Sequence, residues 1–290
     1  MKSKSYKFLN FISNLFLPES CNLRVLAYHD IIDSNKFEAQ IKFLVKSKYN
    51  IISVNDLHAY LYDGKILTKN SLLITFDDGD VSVLDHGLPI LRKYDLPSVM
   101  FVITGLINSA NTFWCRWVEI ALQNQGKSYA ESRVVVNSLK KMSNSERVAY
   151  LEKLDPVASR QLTIDDMLKM QNGKMFIGNH THTHPMVNKC TDQELNNDLK
   201  LSLASFEKWQ LPGGKIFAYP NGNWDKESEE ILKNNGIDMA FLFDHKLNKK
   251  DINPMRISRI RVNSDTELNE FKVKISGLHS KLMTLKNRIV

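Results

Sequence analysis

Short apolar runs alternate along the chain with segments whose apolar residues recur every three to four positions, and most of the runs stop at a polar cluster. Residues 24–28, Arg-Val-Leu-Ala-Tyr, read as a strand that stops at His29-Asp30. Phe37, Ile41, Leu44 and Val45 then follow at helical spacing. Residues 51–54 form a second short apolar run, and a helical pattern over 56–62 meets a stop signal at Gly64. Residues 72–76 make a third strand, apolar and β-branched, which ends abruptly in Asp77-Asp78-Gly79. A helix over about 83–94 and a strand over 98–103 complete the first half.

From about 110 to 171 the rhythm changes to a run that is helical throughout. Trp114, Trp117, Ile120 and Leu122 form one apolar stripe, and Leu139, Val148, Leu151 and Leu154 a second. The tryptophans read as packing residues of a helical insertion. The alternation resumes with a strand over 174–177 that leads through Gly178-Asn179 into His180-Thr-His-Thr-His184-Pro185. Thr191 and Glu194 have the spacing of a capping box for a helix reaching Trp209. A strand over 215–219 ends in Pro220-Asn221-Gly222, Asp225 caps a helix that Gly236 stops, and 239–243 and 257–262 are the last strands. The basic tail from Lys272 reads as a surface helix.

Strands alternating with helices imply a mostly parallel sheet, open or closed into a barrel. Four polar clusters follow four strands: His29-Asp30, Asp77-Asp78, 180–184 and 219–222. In parallel α/β folds the carboxyl ends of strands carry the active site, so these clusters are expected on one rim.

Composition narrows the picture little. The 290 residues are 43% hydrophobic and 24% charged, as in an ordinary globular protein. The net charge of +7 comes from scattered Lys and Arg, which argues against nucleic acid and is compatible with an acidic glycan or an anionic membrane surface. Cys21, Cys115 and Cys190 are odd in number and far apart, which fits a reducing compartment better than a disulfide framework. Residues 1–17 mix Lys2, Lys4 and Lys7 with Phe8, Leu9, Phe11, Ile12, Leu15, Phe16 and Leu17 and read as an amphipathic helix rather than a signal peptide. The expectation is a cytoplasmic protein, with peripheral membrane contact allowed.

The chemistry lies in the clusters. Two adjacent carboxylates repel, so one needs a proton or a cation beside it. One or two carboxylates and two imidazoles suit Zn²⁺ or another first-row divalent ion. His180 and His184 can share one ion from a curled loop, with His182 between them as a competing ligand, and Pro185 disfavours a helix there. With Asp78 on the ion, Asp77 is free to act as general base on a metal-bound water, the requirement for hydrolysing an amide or ester. The turn Tyr219-Pro220-Asn221-Gly222 can offer backbone N–H groups to an oxyanion.

Residues 75–79 (Thr-Phe-Asp-Asp-Gly), 180–185 and 217–222 (Phe-Ala-Tyr-Pro-Asn-Gly) resemble the first three motifs of the NodB-homology polysaccharide deacetylases, carbohydrate esterase family four. The form of the third motif is similar to the poly-N-acetylglucosamine deacetylase branch. The resemblance runs from about 24 to 262 and implies a distorted (β/α) barrel of about seven parallel strands, with the helical insertion between the fourth and fifth. It implies metal-dependent removal of acetyl groups from N-acetylated sugars. By motif position Asp77 is the base, and Asp78, His180 and His184 hold one divalent ion, Zn²⁺ by preference. Ala218 stands where many members carry an Arg that pairs with the base, and Arg256 or Arg259 is expected to supply that charge. The family's fourth motif, with an Asp and a Trp, has no clear counterpart. Residues 25–30 resemble the family's last motif better than 277–279 do, which makes His29 the candidate acid.

The resulting division is an N-terminal amphipathic segment over 1–23, the deacetylase barrel over 24–271 and a basic tail over 272–290. The expected substrate is an N-acetylhexosamine polysaccharide or its lipid-linked or soluble precursor. Two other readings compete: a hydrolase of a small amide or cyclic imide, and a catalytically degenerate carbohydrate-binding barrel.

Overall fold

The computed structural model describes residues 23–278. The amphipathic segment expected over 1–17 lies outside the described residues, as do Cys21 and the end of the tail with His279.

The chain alternates as its pattern predicts. Strand β1 (Leu23–Tyr28) leads to α1 (Ser34–Lys46), β2 (Asn50–Ile51) to α2 (Val54–Tyr62), and β3 (Ser71–Phe76) to α3 (Leu88–Lys93) through a π-helical turn at Val83–Gly87. After β4 (Ser98–Val102) comes the insertion of four helices, α4 (Trp114–Asn124), α5 (Tyr129–Leu139), α6 (Asn144–Leu151) and α7 (Ile164–Asn172). Then follow β5 (Met175–Asn179), α8 (Asp192–Trp209), β6 (Ile216–Ala218), α9 (Lys226–Asn234), β7 (Met239–Phe241), β8 (Ile260–Arg261) and α10 (Leu268–Ile275). The run at 51–54 divides differently from expectation: Ser53 caps α2 in a capping box with Asp56, so Val54 is helical.

All strand pairings are parallel, in the order β7-β6-β5-β4-β3-β1-β8, with β2 attached to β3. The two ends of this order nearly meet. Ile257 bridges to Phe241 of β7, and three residues later Ile260 pairs with Leu26 of β1. One segment therefore joins both edges and closes a distorted barrel, the expected fold. Every residue of β1 and β3 is buried, which is why both read as unbroken apolar runs rather than alternating ones.

Alternate residues split the core. Leu26, Tyr28, Leu72, Ile74 and Phe76 pack with Phe37, Ile41 and Leu44 of α1. Leu23, Val25, Leu73, Val99, Phe101, Ile216, Ala218, Met239, Phe241 and Ile257 form a separate cluster on the other face of the strands. Each such side chain fully buried adds roughly 1.5–3 kcal/mol for the larger apolar residues. Gly178 serves this packing: a Cβ there would meet the Phe101 ring at 2.7 Å.

In the insertion, Trp114, Val118, Leu122, Val136, Leu139 and Leu151 form their own cluster with Met186. Each predicted stripe loses one member: Ile120 lines a groove, and Val148 is exposed. The expected surface helix from Lys272 is corrected. Helix α10 begins at Leu268 and buries Phe271, Val273 and Ile275, so the boundary drawn at 272 falls inside a packed helix. No helix among the described residues is long and apolar enough to cross a membrane.

Candidate active site

The strand alternation that fills the core delivers the chemistry at its end. Leu73 packs in the Phe101 cluster, and two and four positions on come Thr75 and Asp77. The Asp77 N–H donates to Tyr28 O, which extends the β1–β3 ladder by one step. Asp78 then takes a left-handed φ of 68° and Gly79 one of 75°. That turn keeps Asp78 on the same rim instead of pointing it outward with Phe76. A left-handed non-glycine residue is uncommon and is held there by its surroundings.

The histidine loop is curled, as Pro185 predicts. Thr181 (φ 71°) and His184 (φ 56°) are both left-handed, and the Thr181 hydroxyl accepts the His184 N–H at 2.9 Å. Asp198 of α8 accepts the N–H groups of His182 and Thr183 at 2.7 and 3.0 Å and fixes the loop from behind. Nothing in the sequence marks Asp198, an acid on a helix 14 residues past His184. The Trp114 indole donates to His184 O at 3.0 Å. His182 does not join the cluster: its Nδ1 lies 2.9 Å from the Thr104 hydroxyl, and its backbone oxygen sits so close that a Cβ at Gly105 would meet it at 2.6 Å.

Asp78, His180 and His184 come together. Asp78 Oδ1 lies 3.3 Å from His180 Nε2 and 3.4 Å from His184 Nε2. His180 Nδ1 donates to Ala218 O at 2.8 Å, which leaves Nε2 as a bare lone pair facing the carboxylate. Two acceptors at this distance need a cation or a proton between them. Donors about 2.0–2.2 Å from one tetrahedral ion lie roughly 3.3–3.6 Å apart, so the observed spacing fits a Zn²⁺-like ion. These three are the one such group of His, Cys, Asp or Glu among the described residues.

Asp77 faces elsewhere. Arg259, fully buried on the segment that closes the barrel, donates from Nη1 to Asp77 Oδ1 at 2.6 Å and from Nη2 to Oδ2 at 2.7 Å. The guanidinium also donates to Leu242 O at 2.7 Å and to the Thr75 hydroxyl at 3.2 Å. Burial alone would raise the Asp77 carboxyl, but the Arg259 charge, with that of His180, outweighs it and holds the group below its ordinary range. Asp78 is held further down: burial opposes ionisation, and the His180 and His184 contacts prevail. The imidazoles diverge, with burial pulling His184 down to about 4, while for His180 the Asp78 contact and both Asp charges overcome burial and raise it. Arg256 is the wrong candidate for the missing charge. It donates to Glu229 at 2.6 Å and stacks 3.8 Å over Trp224.

Of the turn residues proposed to meet an oxyanion, Tyr219 is corrected. Its N–H is used by Phe241 O at 3.0 Å, and its buried hydroxyl donates to Met255 O at 3.2 Å. The N–H groups of Gly222 and Asn223 are used inside the turn by Tyr219 O and Pro220 O, and Pro220 has none. Asn221, left-handed at φ 57°, remains as the turn's main-chain donor without a partner among the described residues.

His29, Asp77, Asp78, His180, His184, Asn221 and Phe243 line one cavity of about 340 Å³, which adjoins a larger groove of about 900 Å³ between the barrel rim and the insertion. His29 packs edge-on against Phe243 at 5.4 Å. A candidate cation site, a buried carboxylate, the Asn221 turn residue and an imidazole thus line one chamber, a set suited to hydrolysing an acyl bond.

Comparison with known proteins agrees. The sequence profile described as Polysaccharide deacetylase matches residues 64–240. The chain is 24% identical over 282 residues to the poly-beta-1,6-N-acetyl-D-glucosamine N-deacetylase of Staphylococcus aureus (strain MRSA252), covering 94% of this chain and 80% of that one. Among solved structures, Streptococcus pyogenes deacetylase PplD in complex with acetate superposes with a TM-score of 0.62 at 18% identity, over 89% of this chain and 99% of that one. IcaB from Ammonifex degensii gives 0.62 at 19% identity, over 87% and 97%. These two likenesses bear on the fold. With the profile spanning more than half of its length, the chain belongs to the polysaccharide deacetylase family.

Proposed function

We propose that this deacetylase removes N-acetyl groups from a poly-β-1,6-N-acetylglucosamine-type polysaccharide, or from its lipid-linked or soluble precursor, with one divalent metal ion held by Asp78, His180 and His184. The observation that carries the reading is the pairing of that donor triad with a neighbouring carboxylate, Asp77, which Arg259 holds below its ordinary range. The similarity to the staphylococcal enzyme supports the choice of sugar.

When bound, the ion supplies Lewis-acid chemistry: it polarises the acetamide carbonyl and acidifies a water. The rest falls to the chain. Asp77 takes a proton from the attacking water, whose oxygen forms the new C–O bond. The Asn221 N–H donates to the oxygen that gains charge. His29 delivers a proton to the nitrogen as the C–N bond breaks, and acetate and a free amine leave. Arg259 orients Asp77 through two hydrogen bonds and keeps it in the carboxylate form that can accept a proton.

The degenerate-barrel alternative drew on the missing third-motif Arg, and the ion pair that Arg259 makes with Asp77 from the segment just before β8 weighs against it. We place the protein in the cytoplasm with peripheral membrane contact, on the amphipathic pattern of residues 1–17 and on the unpaired Cys115 and Cys190; cell fractionation tests that placement.

The direct experiment is acetate release by the Zn²⁺-loaded protein from β-1,6-linked N-acetylglucosamine oligomers, chito-oligosaccharides and a cyclic imide. Preferential release from the β-1,6 series is expected. Turnover of the imide alone would move the assignment to small-amide hydrolysis.

A further inference from the structure

Among the side chains that the helical insertion brings to the cavity, one outside the family motifs reaches the 219–222 turn. Lys140 follows α5 as its C-terminal cap, where a cation also complements the helix dipole. Its ammonium donates to Asn221 Oδ1 at 2.9 Å across 81 positions of sequence, and both residues line the catalytic cavity. The other end of the amide is held too, because Asn221 Nδ2 donates to Asn223 Oδ1 at 2.8 Å.

This bracing matters because of the backbone it steadies. Asn221 sits at φ 57° and ψ 6°, a conformation that asparagine adopts more readily than most residues but that the surroundings must still enforce. Gly222 behind it packs closely on the Phe243 backbone, where a Cβ would meet Phe243 at 2.6 Å. A side chain clamped at both ends fixes the rotation of the adjoining peptide, and the Asn221 N–H is the turn's remaining main-chain donor.

Helix α5 is a firm base for such a brace. Val136 and Leu139 are buried against Trp114, Val118 and Met186, and Met186 lies two residues past His184. Trp114 in turn holds His184 O. The insertion thereby grips the histidine loop with one helix and the oxyanion turn with the next.

We infer that Lys140 is a positioning residue for the reaction: through the Asn221 side chain it holds the Asn221 N–H in line with the developing oxyanion. The inference rests on the reading of that N–H as the oxyanion donor. Loss of an oxyanion donor outright costs on the order of 10²–10³ in kcat, so loss of its brace is expected to cost less, about 10-fold.

A double-mutant cycle separates this role from others. Asn221→Gly keeps the left-handed turn and the N–H but removes Oδ1. Lys140→Met removes the cation from a partly exposed helix end without opening the core. On β-1,6-linked N-acetylglucosamine oligomers each variant should lower kcat about 10-fold with KM within about 2-fold, and the double variant should be no worse than either. Lys140→Arg should recover most of the loss. Losses that multiply in the double variant would show that Lys140 acts on substrate independently, and full kcat in Lys140→Met would remove the role; either overturns the inference.

A second readout needs no turnover. Acetate titrated into the Zn²⁺-loaded wild type should shift the Asn221 amide resonance, and the shift should shrink in Lys140→Met at unchanged melting temperature. Inactivity of the wild type on every glycan would refute the proposed function while this titration still decides the role of Lys140. An Asn221 amide that acetate leaves unmoved would overturn it.

Discussion

Arg259 closes on Asp77 with two parallel hydrogen bonds of 2.6 and 2.7 Å, although 182 positions separate them in sequence. The pair sits at the top of the barrel interior, with the guanidinium 5.6 Å from the Phe101 ring and 5.8 Å from that of Phe243. Aromatic faces suit a flat, weakly hydrated cation. Ala218, in the same interior cluster, leaves the space that an Arg on β6 would otherwise fill.

Arg259→Met is expected to destabilise the fold by roughly 3–5 kcal/mol, because it strands a buried carboxylate. With the compensating charge gone, burial dominates and raises the Asp77 carboxyl, so the acid limb of the pH–rate profile should move to higher pH. The sign for stability follows. A carboxyl depressed in the fold adds stability above about pH 3.9, its unfolded value, and loses it as pH falls through the folded value. Wild type should therefore lose stability on acidification over that window more steeply than the variant. An unmoved acid limb would sever Arg259 from the base.

Asp77→Asn should retain the metal and lower kcat by at least about 10²-fold, the usual scale for a lost general base. From sequence alone, this change is expected to leave folding nearly intact. The buried Arg259 partner alters that: the variant should also melt lower than wild type, since the guanidinium loses its counter-charge. Metal analysis and calorimetry on the same sample check both halves.

Removing the ion with a chelator should abolish acetate release, and Zn²⁺ should restore it. His180→Ala and His184→Ala should each fail to retain metal, whereas His182→Ala should retain it, because His182 is engaged with Thr104 outside the triad. Loss of metal from His182→Ala alone would reverse the ligand assignment. Asp198→Asn should weaken retention without removing a ligand, about 10-fold on the scale of outer-sphere partners, because it loosens the loop that carries both histidines.

The parts of the site visible in sequence are those built by local rules. A strand buried on both faces shows as an apolar run, and a polar residue at its tip has few places to go, so Asp77, Asp78 and His180 could be placed on one rim from pattern alone. Capping boxes such as Thr191 with Glu194 are equally local. What stayed hidden depends on closure. Arg259 is one of three neighbouring arginines, with Arg256 and Arg261, until the barrel closes between β7 and β1, and Tyr219 loses its N–H only because β7 lies alongside. Lys140 caps a helix and Asp198 lies within one, positions where charged residues are ordinary in a sequence. Their meaning comes from tertiary contacts that periodicity does not encode.

The last prediction concerns His29 as the general acid. Its placement rests on register: β1 and β3 are parallel neighbours with Tyr28 opposite Phe76, so the next residues, His29 and Asp77, emerge level on adjacent strands. Both line the cavity with Asp78, His180 and His184, and the ring of His29 is steadied edge-on by Phe243. Amide hydrolysis requires a proton for the leaving nitrogen, and an imidazolium N–H at the cavity wall can donate one. A general acid must be protonated to act, so the group in that role sets the alkaline limb of the pH–rate profile. His29→Ala should lower kcat by about 10²-fold and flatten that alkaline limb. Metal content should stay unchanged, because His29 is not one of the three ligands. A substrate with a better leaving group, such as an activated anilide, needs less protonation and should recover much of the lost rate in the variant. If the alkaline limb survives in His29→Ala and the anilide gains nothing, the proton comes from another group and His29 only shapes the cavity wall.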